Sequence, residues 1–187
     1  GADGGGRGVV RGGGGGVAVG DAEFVGPGGA VRLRICAPAR EAEGPLPVVV
    51  YIHGGGWWMG DDLDIWDGLC SQMAADVPAL VVSVDYRLAP EHPFPAAVDD
   101  AYAALVWTEA HARELGGDPR KLALHGSSAG GNLVGAGIFR SHFLFEDLPG
   151  AISVPSSHFI SQPCHNQVNI GFSFEGRTQN KTCDSFV

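Results

Sequence analysis

The sequence predicts an α/β fold, and three observations predict it. Apolar, largely β-branched runs of strand length recur at Val48–Ile52, Ala79–Val84 and Lys121–Leu124. Stretches with helical spacing lie between them, at 64–76 and Ala96–Leu115. The last run passes directly into a glycine-rich turn, Gly126-Ser127-Ser128-Ala129-Gly130-Gly131. Strands that alternate with helices return by crossover, which makes the sheet parallel and puts helices on its faces.

The elements follow in chain order. The first 30 residues hold 14 of the 30 glycines. Such a tract cannot bury enough apolar surface to offset its ordering entropy, so residues 1–20 are expected to be disordered. It carries Arg7 and Arg11 but no apolar stretch between charge and cleavage site, so it does not read as a secretory signal. The chain starts at Gly1 rather than Met, which suits a fragment or a processed product. An N-terminal part of an α/β domain is expected over 22–137. Val31, Leu33 and Ile35 alternate with Arg32 and Arg34, the pattern of a half-buried strand. Pro45 to Ile52 suits a strand covered on both faces. In 64–76, Ile65, Leu69 and Met73 share a helical stripe, with Trp66 and Cys70 beside it. Ala79–Val84 is a second buried strand. Ala96–Leu115 reads as a helix with Val98, Ala101, Tyr102 and Leu105 inward, stopped by Gly116-Gly117. Lys121–Leu124 is the third buried strand. From 138 onward the character changes: seven of nine phenylalanines and a single alanine, Ala151, lie there without sustained periodicity. Residues 138–187 are therefore expected to be an irregular tail foreign to the fold.

Composition bounds the function classes. A chain of 187 residues with 44% hydrophobic and 18% charged side chains has the balance of one globular domain. Twelve basic against 21 acidic residues give a net charge of −9, with no Lys/Arg run, so nucleic acid and anionic membranes are poor partners. No apolar run reaches the roughly 18 residues of a membrane-spanning helix. Cys36, Cys70, Cys164 and Cys183 show neither C-x-x-C nor zinc spacing. A reduced, cytoplasmic setting is expected, with no disulfide scaffold, metal or cofactor. The glycine tracts fail as phosphate cradles: no Lys-Ser/Thr follows Gly131, and no strand precedes the N-terminal run.

Three motifs carry chemistry. Gly126-x-Ser128-x-Gly130 follows a strand and opens a helix, the pattern of a nucleophile elbow. Small neighbours are required because a strand turning sharply into a helix leaves no room for bulk. The turn lifts the Ser128 hydroxyl clear of the backbone and leaves the Ala129 N–H at a helix N-terminus, where negative charge is favoured. His53-Gly54-Gly55-Gly56-Trp57 ends the Val48–Ile52 strand, and its glycines let backbone N–H groups approach a ligand. His53 is read as packing rather than as a base. Trp57 and Trp58 are read either as pocket lining or as core. Asp85-Tyr86-Arg87-Leu88-Ala89-Pro90-Glu91 places an Arg between two acids and reads as a structural ion-pair turn with no catalytic step.

Taken together, YIHGGGWWMGD, VVSVDYRLAPEHPFPAAVDDAYAALVW and LHGSSAGGNL closely resemble the hormone-sensitive-lipase-like carboxylesterases, the group with the GDxG serine signature. The resemblance runs from about Val48 to Leu133. It implies the N-terminal half of an α/β-hydrolase fold, a doubly wound, mostly parallel sheet. It further implies hydrolysis of a small-molecule carboxylic ester through an acyl-enzyme, with Ser128 as nucleophile. Gly54, Gly55 and Ala129 would form the oxyanion hole, and His53, Gly56, Gly126 and Gly130 would support the motifs. Ser127 stands where the family pattern has Asp, replacing a carboxylate beside the nucleophile. The family's later acid and histidine are not identifiable. Glu146, Asp147, Glu175, Asp184, His142, His158 and His165 do not stand in matching surroundings. A truncated frame with impaired activity is expected. Two rival readings remain: a hormone-binding member of the same fold, as in the plant gibberellin receptors, and a fragment without function. The oligomeric state is open.

Overall fold

A computed structural model describes residues 11–13, 16–39, 42–60, 62–144 and 167–170, without the side chains of 11–13, 137–144 and 167–170. Its strands are β1 (Arg11–Gly13), β2 (Val17–Gly26), β3 (Gly29–Pro38), β4 (Leu46–Ile52), β5 (Leu80–Asp85), β6 (Gly117–Ser127) and β7 (Gln167–Ile170). The helices are α1 (Asp67–Asp76), preceded by a 3-10 turn over Leu63–Trp66, then α2 (Ala96–His111) and α3 (Ala129–Leu144). Among the described residues the strands form one sheet, ordered β1-β2-β3-β5-β4-β6-β7.

The centre of the sheet is parallel, as the alternation of strands and helices predicts. Val48 of β4 lies between Leu80 of β5 and Leu122 of β6. Each crossover carries a helix, so these strands are covered on both faces and can be apolar throughout. Val48, Val50 and Ile52 join Leu80, Val82 and Val84 in one core against Ala101, Ala104 and Leu105 of α2 and Leu133 and Val134 of α3. Tyr51 and Val81 point the other way, onto Cys70 and Ala74 of α1 together with Val17 and Cys36.

The flanks depart from the sequence reading. Gly29–Pro38 runs antiparallel to β5, with Leu33 opposite Val84, and antiparallel to β2, so the sheet is mixed. The link between β2 and β3 is only Pro27-Gly28, with Gly26 opposite Gly29, and so short a turn joins only antiparallel strands. Regular structure also starts before residue 22. Val17 is 3% exposed, and its strand pairs Ala18 with Ala37 and Val19 with Cys36. The edge of β3 supplies the partners that this segment lacks alone. Further upstream, Arg11–Gly13 pairs with Val17–Val19.

At the other end, α3 continues past 137 to Leu144, since a helix nucleated at the elbow extends at one hydrogen bond per residue. Of the tail, Gln167–Ile170 adds an antiparallel strand on β6, with Gln167 opposite Ser127. Glu146, Asp147, His158, His165, Glu175 and Asp184 lie outside the described residues, as does the side chain of His142. The α1 stripe is also rotated from expectation. Ile65 is 63% exposed, and Cys70 and Ala74 are the buried positions, because the 3-10 turn offsets Ile65 from the face of the α-helix. In α2 the deepest positions are Ala96, Asp100, Ala101, Ala104, Leu105 and Thr108, with Val98 and Tyr102 half-buried.

Candidate active site

β4 and β6 are parallel neighbours with Ile52 beside Gly126, so the loops leaving their ends emerge side by side. The loop after β4 is His53–Gly60; the one after β6 is the turn at Ser128. Ser128 adopts φ +51°, a left-handed conformation that a non-glycine residue takes only where its surroundings force it. Its side chain is exposed, and Ala129 behind it is buried. Asn132 N–H donates to the Ser128 carbonyl at 3.2 Å, which starts α3 immediately after the serine. The Ala129 N–H belongs to the first turn of that helix, where no intrahelical acceptor exists.

The glycines of this elbow are required by close approach. A Cβ on Gly126 would lie 2.5 Å from the Gly130 carbonyl group, and one on Gly130 would lie 2.0 Å from the Ile52 oxygen. The strand, the turn and the start of α3 therefore cross at backbone contact. A Cβ on Gly54 would meet the Ser127 oxygen at 2.9 Å and the Ser128 Cβ at 3.4 Å. The two loops are in contact, well inside the separation at which their donors could not act on one atom.

The loop conformation depends on glycine at Gly55, where φ is +118° and a Cβ would fall 2.2 Å from the Met59 carbonyl oxygen. The Gly55 carbonyl accepts from the N–H groups of Trp58 and Met59, at 3.2 and 3.0 Å. The turn carries Trp57, Trp58 and Met59 outward, at 42%, 62% and 48% exposure, so the two tryptophans are not core.

His53 is fully buried. It stacks on Tyr86 at 4.2 Å between ring centroids and on Trp66 at 5.4 Å, and its Nδ1 donates to the Gly54 carbonyl at 2.7 Å. A ring enclosed in this way packs the loop, as the sequence reading expects. Tyr86 contributes more than its motif suggested: its hydroxyl donates to the His53 carbonyl at 2.9 Å. Nearby, the Ala89 N–H donates to the Trp57 carbonyl at 2.8 Å. The segment after β5 thus holds the glycine loop from behind. Two charges of that turn, Asp85 and Arg87, pair outside it. Arg87 makes a two-pronged contact with Asp100 of α2, at 2.7 and 2.9 Å, and Asp85 pairs with Arg32 of β3. An apolar helix spacing does not mark position 100 as a buried acid, so this partner was not legible in sequence.

Behind the nucleophile, the Ser127 hydroxyl lies 3.3 Å from the Tyr51 hydroxyl. Burial raises the Tyr51 pKa, so this neighbour is a neutral phenol where the family pattern has a carboxylate on the serine side. Burial lowers the pKa of His125, whose ring stacks on Tyr51 at 5.5 Å. Among the described residues no imidazole is hydrogen-bonded to the Ser128 hydroxyl, and no group of three His, Cys, Asp or Glu could hold a metal. No described helix is long and apolar enough to cross a membrane. A hollow of about 460 Å³ lined by Gly44, Pro45, Arg113, Gly117 and Arg120 lies at the opposite ends of β4 and β6, away from the serine.

A parallel strand that ends in a left-handed serine, touched by a glycine loop from the neighbouring strand, defines an α/β hydrolase. A family model described as alpha/beta hydrolase fold matches residues 49–145, and the chain belongs to that family. The esterase LipI of Mycobacterium tuberculosis is 50% identical over 114 residues, covering 60% of this chain and 35% of that protein. The carboxylesterase NlhH of the same species is 59% identical over 88 residues, 47% of this chain and 27% of its own length. Among solved structures, an esterase of Pyrobaculum calidifontis superposes with a TM-score of 0.64 at 44% identity, covering 67% of this chain and 40% of that one. A bacterial heroin esterase gives 0.66 at 38% identity, covering 70% and 41%. The chain spans about a third of the length of the curated relatives it matches.

Proposed function

We propose that this chain carries the nucleophile half of a serine carboxylesterase. Ser128 Oγ attacks the carbonyl carbon of a small-molecule ester, and the N–H groups of Gly54, Gly55 and Ala129 receive the oxyanion. The C–O bond to the alcohol then breaks, leaving an acyl group on Ser128 that water removes. The observation that supports this reading is the contact of Gly54 with the elbow, where a Cβ on the glycine would meet the Ser127 oxygen and the Ser128 Cβ. A serine hydroxyl is a weak nucleophile at neutral pH until a base takes its proton. Among the described residues no imidazole is hydrogen-bonded to the Ser128 hydroxyl, and without such a base acylation is slow and turnover falls orders of magnitude below that of a complete triad.

The test uses the full chain, its Ser128→Ala variant, a 4-nitrophenyl ester and mass mapping of the acyl group. The expected result is slow acylation confined to Ser128 and absent from the variant. Acylation at other residues only, or equal in both proteins, refutes the nucleophile. Turnover at ordinary esterase rates, abolished in the variant, refutes the impairment and shows that a base lies within the chain.

A further inference from the structure

The loop His53–Gly60 turns through four positive-φ positions, Gly55, Gly56 and Gly60 at +118°, +62° and +103° and Trp57 at +67°. Glycine enters these regions freely. A tryptophan there persists only when its surroundings over-determine it. The Tyr86 hydrogen bond fixes the entry to the loop through the His53 carbonyl, but it does not reach the exit at Gly60.

Trp66 reaches both ends. Its ring stacks on that of His53, at 5.4 Å and 19° between planes. Its indole N–H donates to the Gly60 carbonyl at 3.4 Å. Gly60 in turn sits against the histidine, since a Cβ there would fall 2.7 Å from His53 Nδ1. Entry, exit and indole therefore form one closed contact beneath the glycines. The segment that presents Trp66 is itself fastened to the sheet. Arg34 of β3 pairs with Asp64 at 2.9 Å and with Asp67, the residues two before and one after the tryptophan, while Asp21 of β2 holds its Nε. Leu63 packs inward at 6% exposure.

We infer that Trp66 is a positioning residue for the oxyanion loop: it acts through His53 and Gly60 to hold the Gly54 and Gly55 N–H groups against Ser128. What the loop does rests on the ester-hydrolase reading; how it is held does not. An indole supplies both a flat face for the imidazole and a donor for the carbonyl. A Phe at 66 keeps only the first, and a Leu or Met keeps neither.

The experiment uses the full chain with Trp66→Leu, Trp66→Met and Trp66→Phe, and Ile65→Ala as control on the exposed neighbour. Two readouts are taken: amide hydrogen exchange of 53–60 against the β4 strand, and the kinetics of Ser128 labelling by an aryl phosphonate. Trp66→Leu should speed exchange in 53–60 by about tenfold or more while β4 stays protected. Labelling should lose about tenfold or more in its first-order rate with unchanged half-saturation, because the donors shift relative to the nucleophile rather than the probe losing contact. The His53 ring protons should lose the upfield shift that the indole face imposes. Trp66→Phe should recover the ring shift and part of the other two effects, and Ile65→Ala should match the parent. If Trp66→Leu fails to fold, Trp66→Met carries the same expectations. Parent-like exchange in 53–60, loop and β4 opening together, or Trp66→Phe no better than Trp66→Leu overturns the assignment. If Ser128 of the parent takes no label, the ester-hydrolase reading fails, and the exchange and ring-shift results decide the role of Trp66 alone.

Discussion

Two glycines of one helix should respond to the same substitution with opposite signs. In Gly130→Ala the new methyl would lie 2.0 Å from the Ile52 oxygen and 2.5 Å from the His53 oxygen, both backbone atoms with no rotamer to yield. Ordinary contact begins near 3.4 Å, so the start of α3 must move about 1.4 Å, the difference between 3.4 and 2.0 Å. Crowding of this kind costs about 1–3 kcal/mol. At about 2–4 °C per kcal/mol for a chain of this size, the melting temperature should fall by roughly 2–12 °C. The movement also carries Ser128 and the Ala129 N–H away from Gly54. A misplacement near 1 Å is worth about 100-fold in rate, so phosphonate labelling of Ser128 should drop by that order. Gly135→Ala is the counterpart. Among the described residues nothing beyond the helix's own backbone lies within 4 Å of the new methyl, so the change should stabilise the helix by about 0.5–1 kcal/mol and leave labelling untouched. Thermal melts followed by circular dichroism and labelling rates on the three proteins decide the matter. A Gly130→Ala chain that melts and labels like the parent would show that α3 does not cross β4 at backbone contact, and the account of the elbow would fall.

Three further outcomes follow from the same geometry. Arg87→Ala leaves the fully buried Asp100 without its guanidinium and should cost about 3–5 kcal/mol in urea unfolding, whereas Arg87→Met combined with Asp100→Leu should recover most of it; equal losses would refute the pairing. Burial holds the His125 pKa below its ordinary 6.5, so the unfolded chain binds the extra proton first and stability should fall as pH drops below 6.5, a slope that His125→Gln removes. Asp67 opposes this at lower pH, because burial raises its pKa and protonation there favours the fold. Burial pushes the Cys70 thiol up to about 12 and raises Cys36 as well, so at pH 8 neither should react with a disulfide reagent until urea is added, as peptide mapping of the labelled chain will show.

The sequence by itself determined the parallel centre of the sheet, the helix placements and both glycine motifs. Those features are local: a β-branched run, a helical stripe and a turn with no room for side chains each write their requirement into adjacent residues. His53 could be read as packing and Ser128 as the exposed hydroxyl for the same reason. Only the tertiary structure decided what those residues meet. The start of β2 looked like part of a glycine tract because Val17 gains its burial from β3 and from Tyr51, not from its neighbours in sequence. The charges of the segment after β5 looked self-sufficient, yet their partners, Arg32 and Asp100, arrive from a strand before it and a helix after it. Trp66 read as one aromatic beside a helical stripe, and its place under the glycine loop follows from the parallel order of β5, β4 and β6, which folds α1 back beneath the end of β4. Periodicity records which side of an element is buried; which group waits there depends on contacts far along the chain, and those are fixed only when the layers close.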